Sequence, residues 1–127
     1  MRRDNEVFPV KSLEDNMETL NNAMNLLLDQ IALDYADWHA RSEYGNEGDY
    51  DKMRGQLSVE EGRKYLKVIR TDNQKTVWGF IQKEDDKKFR AGDILKAASW
   101  AAPARNKPRG NVLEGGYNIQ WTGPNYL

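Results

Sequence analysis

The chain has 127 residues, of which 39% are hydrophobic and 31% charged, and this suits one small soluble domain with a modest core. It contains no cysteine, which excludes disulfides and thiolate zinc sites and makes a reducing, cytoplasmic compartment the expected one. No apolar run approaches the roughly 18 residues of a membrane span, and the charged start leads into no apolar segment. We therefore expect neither a membrane anchor nor a secretory signal.

The net charge of −1 conceals a strong division along the chain. Residues 1–62 carry 6 Lys/Arg and 14 Asp/Glu, a formal charge of −8, whereas residues 63–127 carry 13 and 6, a charge of +7. Such asymmetry is typical of a basic half that meets a polyanion. The alternative is that the two halves neutralise each other within one fold or across an oligomer.

Apolar residues recur at spacings of three and four after Ser12, and this pattern predicts one long helix over residues 12–42. Ser12 and Asp15 resemble a helix-capping pair. The stripe consists of Leu13, Met17, Leu20, Met24, Leu27, Ile31, Tyr35 and Trp38, and Leu26, Leu28 and Leu33 widen it. This face packs either on the rest of its own chain or, in addition, on a second subunit.

Residues 44–56 combine three glycines with acidic and polar side chains, which predicts a flexible acidic loop. Its alternating carboxylates resemble a calcium loop. However, Met53 stands where an oxygen ligand belongs and Arg54 where the sharp-turn glycine belongs, so we expect no metal here.

Residues 57–127 predict a small β module within a single domain spanning 1–127. Strands are expected at 57–59, 65–70, 76–82, within 89–96 and at 117–121, and a short helical turn at 97–100. The fold class is α+β, mainly β: a long N-terminal helix followed by a strongly bent, five-stranded antiparallel sheet or barrel, Sm-like or SH3-like.

The strand at 76–82 is apolar on both faces, with Val77 and Ile81 predicted on one side and Trp78 and Phe80 on the other. A strand of this kind is central and covered twice, or it carries a binding surface on one face.

Catalytic signatures are lacking. The single histidine, His39, has no nucleophile motif around it, and its place near a helix C-terminus is explained by the helix dipole. The acidic run Glu84 to Asp86 lies in a turn and is expected to be solvated. We expect no enzyme activity, cofactor or metal.

The segment from Trp100 to Asn111 is the strongest candidate for a binding site. Three cations alternate along it, two prolines keep it extended, and further cations and rings are near. The candidate nucleic-acid-binding residues are Arg105, Lys107, Arg109, Lys96, Trp100 and Trp78. Cations at this spacing suit phosphates, and rings beside them suit stacking on RNA or single-stranded DNA bases. The alternative is that Trp100 belongs to the core and the basic loop is a solvated surface.

Several stretches together resemble one family. They are residues 61–68, Val77 to Phe80, residues 92–104 with their Gly-Asp…Lys-Ala-Ala-Ser-Trp…Ala-Pro-Ala core, and Arg109 to Asn111. Over about residues 57–127 the chain resembles small uncharacterised proteins of marine tailed phages, especially cyanophages, and of ocean metagenomes, whose members look similar to Sm-like barrels. The resemblance implies an Sm-like fold, a homo-oligomeric ring and binding of RNA or DNA in the host cytoplasm.

Two functions follow as hypotheses. The first is a non-enzymatic, phage-encoded accessory protein that binds RNA or single-stranded DNA through its basic and aromatic surface. The second is an interaction module that binds a host or phage protein through the acidic helix or a sheet edge.

Overall fold

The computed structural model describes residues 9–42 and 45–125, with the side chains of the first helix described from residue 18 onward. The described chain is α+β, as predicted, but it is not mainly β, because its two helices contain more residues than its strands. Its elements are α1 (Pro9–Ala40), α2 (Asp49–Gln56), β1 (Leu57–Glu61), β2 (Tyr65–Thr71), β3 (Lys75–Gln82), β4 (Ile94–Leu95), β5 (Ile119–Gln120) and β6 (Gly123–Pro124). None of the described helices has the length and apolar character needed to cross a membrane.

Helix α1 has 32 residues and begins at Pro9, three residues before the expected start at Ser12. Proline fits a first helical turn, where its missing N–H is not needed, so the helix extends past the expected cap. The side chains of Ser12 and Asp15, and of Leu13 and Met17 in the predicted stripe, lie outside the described ones.

The rest of the predicted stripe is divided between core and solvent. Leu27 and Ile31 are fully buried against the β module, while Leu26 and Trp38 are largely exposed. The α1 stripe therefore packs on its own chain, but it is narrower than predicted. Leu33 and Trp38 leave an exposed apolar surface near the end of the helix.

Residues 49–56, expected within the flexible loop, form helix α2 instead. Met53 is buried, and Asp49 accepts a hydrogen bond from the Asn46 amide over 2.8 Å, which holds the entry to the helix. The Arg54 guanidinium donates to the Asp29 carboxylate of α1 over 2.8 Å. These tertiary contacts offset the low helix propensity of Gly55, one of the three glycines from which a flexible loop was predicted.

The main sheet is an antiparallel meander in the order β1-β2-β3-β4, and β5 and β6 form a separate two-stranded sheet. The prediction of a five-stranded sheet or barrel is therefore wrong: among the described residues the main sheet has four strands and does not close into a barrel. Strand β4 pairs through two residues only. After it the chain turns back along β4: the Arg109 amide donates to the Ile94 carbonyl, and the Ala104 amide donates to the Lys96 carbonyl. Pro103 and Pro108 have no N–H to donate, so this pairing stays irregular.

Strand β3 is central and covered on both faces, which is the first of the two arrangements that its composition allowed, but the predicted assignment of its faces was wrong. Val68 pairs with Gly79 and Ile69 pairs with Val77, so Trp78 is an extra residue at a β-bulge. A one-residue shift exchanges the faces of a strand. Trp78 consequently joins Ile81 in the core beneath α1.

The opposite face carries a smaller apolar cluster formed by Phe80, Phe89 and Leu95, against which Tyr65, Val77 and Ala97 pack. Residues 97–105 run along this side of the sheet. The helical turn expected at 97–100 is absent; the amides of Ala98 and Ser99 both donate to the Ala102 carbonyl in a bend instead. We call this side the outer face.

Candidate nucleic-acid interface

Arg105 is bound to the outer face. Its guanidinium donates to the Tyr65 hydroxyl over 2.6 Å and to the Asp86 carboxylate over 2.8 Å, and it lies 4.6 Å from the centre of the Phe89 ring. About a third of the side chain, 34%, stays exposed. Arg105 therefore fixes its own segment to strand β2 and to the loop before Phe89, and offers only part of its guanidinium to a ligand.

Asp86 organises that loop. Its Oδ1 accepts the amides of Phe89 and Lys88, and its Oδ2 accepts the Gln82 side chain and Arg105. These donors stabilise the ionised form, so the pKa of Asp86 is lowered well below its usual range, with the Phe89 amide as the largest cause. The Asp86 carboxylate in turn raises the pKa of Arg105. Asp86 is thus a structural carboxylate.

Arg109 contacts a different part of the chain from Arg105. Its Nε donates to the Asn125 carbonyl over 2.9 Å, and its Nη1 to the Asn106 side chain and the Lys107 carbonyl. The Lys107 side chain between the two arginines is exposed. The three alternating cations are therefore directed to different surroundings, because each arginine is held by its own set of acceptors.

Trp100 lies on the surface with 47% of its area exposed. The Lys67 ammonium of β2 is 4.3 Å from the centre of the Trp100 ring, in cation–π range, and 5.9 Å from that of Phe80. Lys96 braces the same segment through its carbonyl, which accepts the Ala104 amide over 2.7 Å. Trp100 is therefore a surface residue with a cation beside it, and not part of the core.

Trp78 does not belong to this interface. It is only 5% exposed, packs in the core beneath α1, and donates its indole N–H to the Gln120 carbonyl over 2.9 Å. The β-bulge that places it there also removes it from the surface, so this ring is not available to stack on a base.

Tyr65 and Lys67, which were not predicted from the sequence, lie between Arg105 and Trp100. The Tyr65 ring meets the Phe80 ring edge-on at 5.8 Å, and Lys67 pairs with Phe80 in the ladder. Both residues are on β2, two positions apart, so they share a face. We name the resulting surface the ring–cation row; its members are Trp100, Lys67, Tyr65 and Arg105, with Phe80 and Phe89 beneath and Lys64 and Lys88 at its flanks.

The signal for these residues was present in the alternation Tyr65-Leu66-Lys67, which places the tyrosine and the lysine on the same side of a strand. It became informative only with the register of β3, because the alternation does not say which side is covered by α1.

His39 takes a structural position at the end of α1. Its ring centre is 4.0 Å from that of Tyr35, and its Nδ1 is 3.1 Å from the Tyr35 carbonyl oxygen. Within the described residues, no three His, Cys, Asp or Glu side chains are grouped as metal ligands. The arrangement on the outer face is suited to binding, by stacking and charge.

No curated protein and no solved structure matches the chain significantly. One family model matches residues 8–124, and its description is "Family of unknown function (DUF7717)". Since the match spans nearly the whole sequence, the chain belongs to this family of unknown function.

Proposed function

We propose that this protein is a non-enzymatic accessory protein that binds single-stranded nucleic acid, RNA or DNA, through the ring–cation row. The observation that carries the proposal is the continuity of the row. Trp100 contacts Lys67, Phe80 lies between Lys67 and Tyr65, and Tyr65 accepts a hydrogen bond from Arg105. Trp100 is the exposed ring of the row, Tyr65 is half-buried, and Phe80 and Phe89 lie buried beneath them. An accessible ring beside cations is what sequence-tolerant single-strand binders use.

The charge of the row favours a polyanion. Lys64, Lys67, Lys88 and Arg105 contribute four positive charges. The carboxylates bound to these cations are Glu60, 3.8 Å from the Lys67 ammonium, and Asp86. An excess of cations remains, and phosphate contacts supply most of the sequence-independent affinity for nucleic acid.

The buried and the exposed residues of the ring–cation row have different roles. Lys67 is only 14% exposed and lies beside the Trp100 ring, so it fixes and polarises the ring more than it contacts solvent. Lys64 and Lys88 are exposed and suit phosphates, and the Lys88 ammonium also donates to the Arg105 carbonyl, while Trp100 offers surface to a base. Stacking on one aromatic side chain contributes about 1–3 kcal/mol per base.

The resemblance to small proteins of marine tailed phages supports a phage-encoded origin as part of the proposal. The homo-oligomer implied by that resemblance is a separate proposal. Light scattering on the size-exclusion peak checks it, and a monomer at the concentrations used for binding would contradict it.

The binding experiment uses labelled oligo-dT and oligo-U of about 15 nucleotides, near the upper site size of small single-strand binders. Anisotropy is measured at about 50 and 200 mM salt, because phosphate binding weakens steeply over that range. The test variants are Trp100→Ala and the double variant Lys64→Ala/Lys88→Ala. Lys75→Ala, an exposed cation at the β2–β3 turn, is the matched control.

We expect binding at low salt, with Trp100→Ala weakening it by about tenfold. The double variant should reduce the slope of log affinity against log salt by about 0.7 for each phosphate that it no longer neutralises. Lys75→Ala should leave affinity near the wild-type value. Absence of binding at low salt, or an equal decrease in affinity for Lys75→Ala and the double variant, would overturn the proposal.

A further inference from the structure

A pair of tryptophans, of which Trp38 is exposed and Trp121 is half-buried, lies at the C-terminal end of α1. Trp38 is 56% exposed, and its ring centre is 5.9 Å from that of Trp121. Trp121 is held in place by an edge contact with Tyr35 at 5.1 Å. A large indole left in water beside a fixed ring is typical of a contact surface, since tryptophan is enriched at the centres of interfaces.

A groove of about 330 Å³ adjoins the tryptophan pair. It runs between α1 and the chain before β5, and it is lined by Gln30, Leu33, Asp34, Asp37, Tyr117, Asn118 and Ile119. Asp34 lines the groove and also contacts the tryptophan pair, because its carboxylate accepts a hydrogen bond from the Trp121 amide over 2.8 Å. Leu33 adds an apolar side chain that is 51% exposed.

The charge of this groove indicates what it accepts. Its lining residues include two carboxylates, Asp34 and Asp37, and no lysine or arginine. Arg41 lies 2.8 Å from Asp37, but both side chains are exposed, so this pair is weak and open to exchange with another cation. The Arg70 guanidinium lies 5.4 Å from the centre of the Tyr35 ring and 5.6 Å from that of Trp121. It is in cation–π range of these two rings, and it is not among the residues that line the groove.

We propose that the tryptophan pair and the acidic groove form a docking site for a basic peptide segment of a partner protein. A lysine or arginine of that segment lies over the exposed Trp38 indole, within the roughly 6 Å of a cation–π contact. Its charge is paired with Asp37, and apolar parts of the segment cover Leu33. Charge complementarity selects this occupant: the groove presents carboxylates, whereas the ring–cation row on the outer face presents cations.

The experiment titrates the full chain with two labelled peptides, one alternating arginine and proline and one alternating glutamate and proline. Fluorescence anisotropy reports binding, and quenching of tryptophan emission reports contact with the pair. Trp38→Ala and Asp37→Asn are the test variants, and their thermal unfolding is compared with that of the wild type. Leu113→Ala and Glu47→Gln are the matched controls, an exposed apolar side chain and an exposed carboxylate elsewhere.

We expect the basic peptide to bind and to quench tryptophan emission through Trp38. Any binding of the acidic peptide belongs to the cations of the ring–cation row and should be unchanged in Trp38→Ala. Trp38→Ala should weaken binding by about tenfold and Asp37→Asn by about threefold, in line with a tryptophan at the centre of an interface and an exposed ion pair. Both controls should bind like the wild type. An equal loss of affinity for both peptides in Trp38→Ala, no binding of the basic peptide, or protection of Trp38 by oligo-U instead would each overturn the proposal.

Discussion

Arg105 donates to the hydroxyl of Tyr65 over 2.6 Å, across 40 positions of the chain. This hydrogen bond fixes the basic segment to the outer face of the sheet. It also explains why the cations of that segment do not act as a set, since the same guanidinium is bound to Asp86. The segment gains order and loses part of its free charge.

The first prediction concerns the pH dependence of stability. The pKa of Asp86 is lowered in the folded state, so its ionised form stabilises the fold above the unfolded pKa of about 3.9. That stabilisation is lost as the pH falls from there toward the lower folded pKa. Asp86→Asn should therefore be less stable than the wild type near pH 7, and the difference should shrink below about pH 4.

Urea unfolding near pH 7, pH 5 and pH 3 measures this difference, the pH values being set on either side of the unfolded pKa of about 3.9. Glu84→Gln is the control in the same loop, where no side-chain partner of the carboxylate is described. A difference between wild type and Asp86→Asn that stays constant over the range would contradict the role assigned to Asp86.

The second prediction separates the two tryptophans that the sequence placed together. Trp78→Ala removes a buried ring and should lower the free energy of unfolding by about 3–5 kcal/mol. Trp100→Ala removes a half-exposed ring and should cost about 1 kcal/mol or less. Chemical denaturation measures both, and comparable decreases would show that Trp100 is also a core residue.

The hairpin of β2 and β3 could be predicted from the sequence because its strands are close in the chain and rich in β-branched and aromatic residues. The bulge at Trp78 could not, since nothing local distinguishes a regular strand from one with an extra residue. Helix α2 was missed for a related reason: its stability comes from Met53 in the core and Arg54 on Asp29.

For the candidate site, too, some features could be predicted from the sequence and others could not. The type of residue was predictable, because the alternation of cations and the nearby Trp100 are local features. The partners were not, because Asp86 and Tyr65 lie 19 and 40 positions from Arg105. Only the folded chain shows that the strand residues Tyr65 and Lys67 complete the surface.

The third prediction compares two glycines. A Cβ at Gly79 would lie 2.9 Å from Pro124 Cγ and 3.1 Å from the Leu95 carbonyl oxygen, because β6 crosses β3 there. Gly79→Ala should therefore lower the free energy of unfolding by about 1–3 kcal/mol. At Gly55 in α2 a Cβ meets nothing within 4 Å, so Gly55→Ala should raise it by about 0.5 kcal/mol.

Urea unfolding of the two alanine variants beside the wild type measures both shifts. We expect the changes in the free energy of unfolding to have opposite signs, a decrease for Gly79→Ala and an increase for Gly55→Ala. If both substitutions destabilise equally, the close approach of Pro124 to β3 is not the reason for glycine at position 79.

The fourth prediction tests the electrostatics of the ring–cation row and rests on the proposed binding of nucleic acid. Glu60 pairs with Lys67 across the β1–β2 ladder, and its carboxylate is 3.8 Å from the lysine ammonium. Glu60→Gln removes a negative charge from the row while leaving the strand pairing intact. It should raise the affinity for oligo-U by about twofold to threefold at low salt, the size of a surface charge contact.

Because exposed charges are screened over about 10 Å at 0.1 M salt, this gain should fade as salt is added. Glu47→Gln, an exposed carboxylate before α2, is the control and should change affinity little. Anisotropy titrations of both variants at several salt concentrations decide the matter. An equal gain for the two variants would mean that net charge, and not the position of Glu60 beside Lys67 and Trp100, sets the affinity. A gain that persists at high salt would point to a change of structure and away from the electrostatic role given to the row.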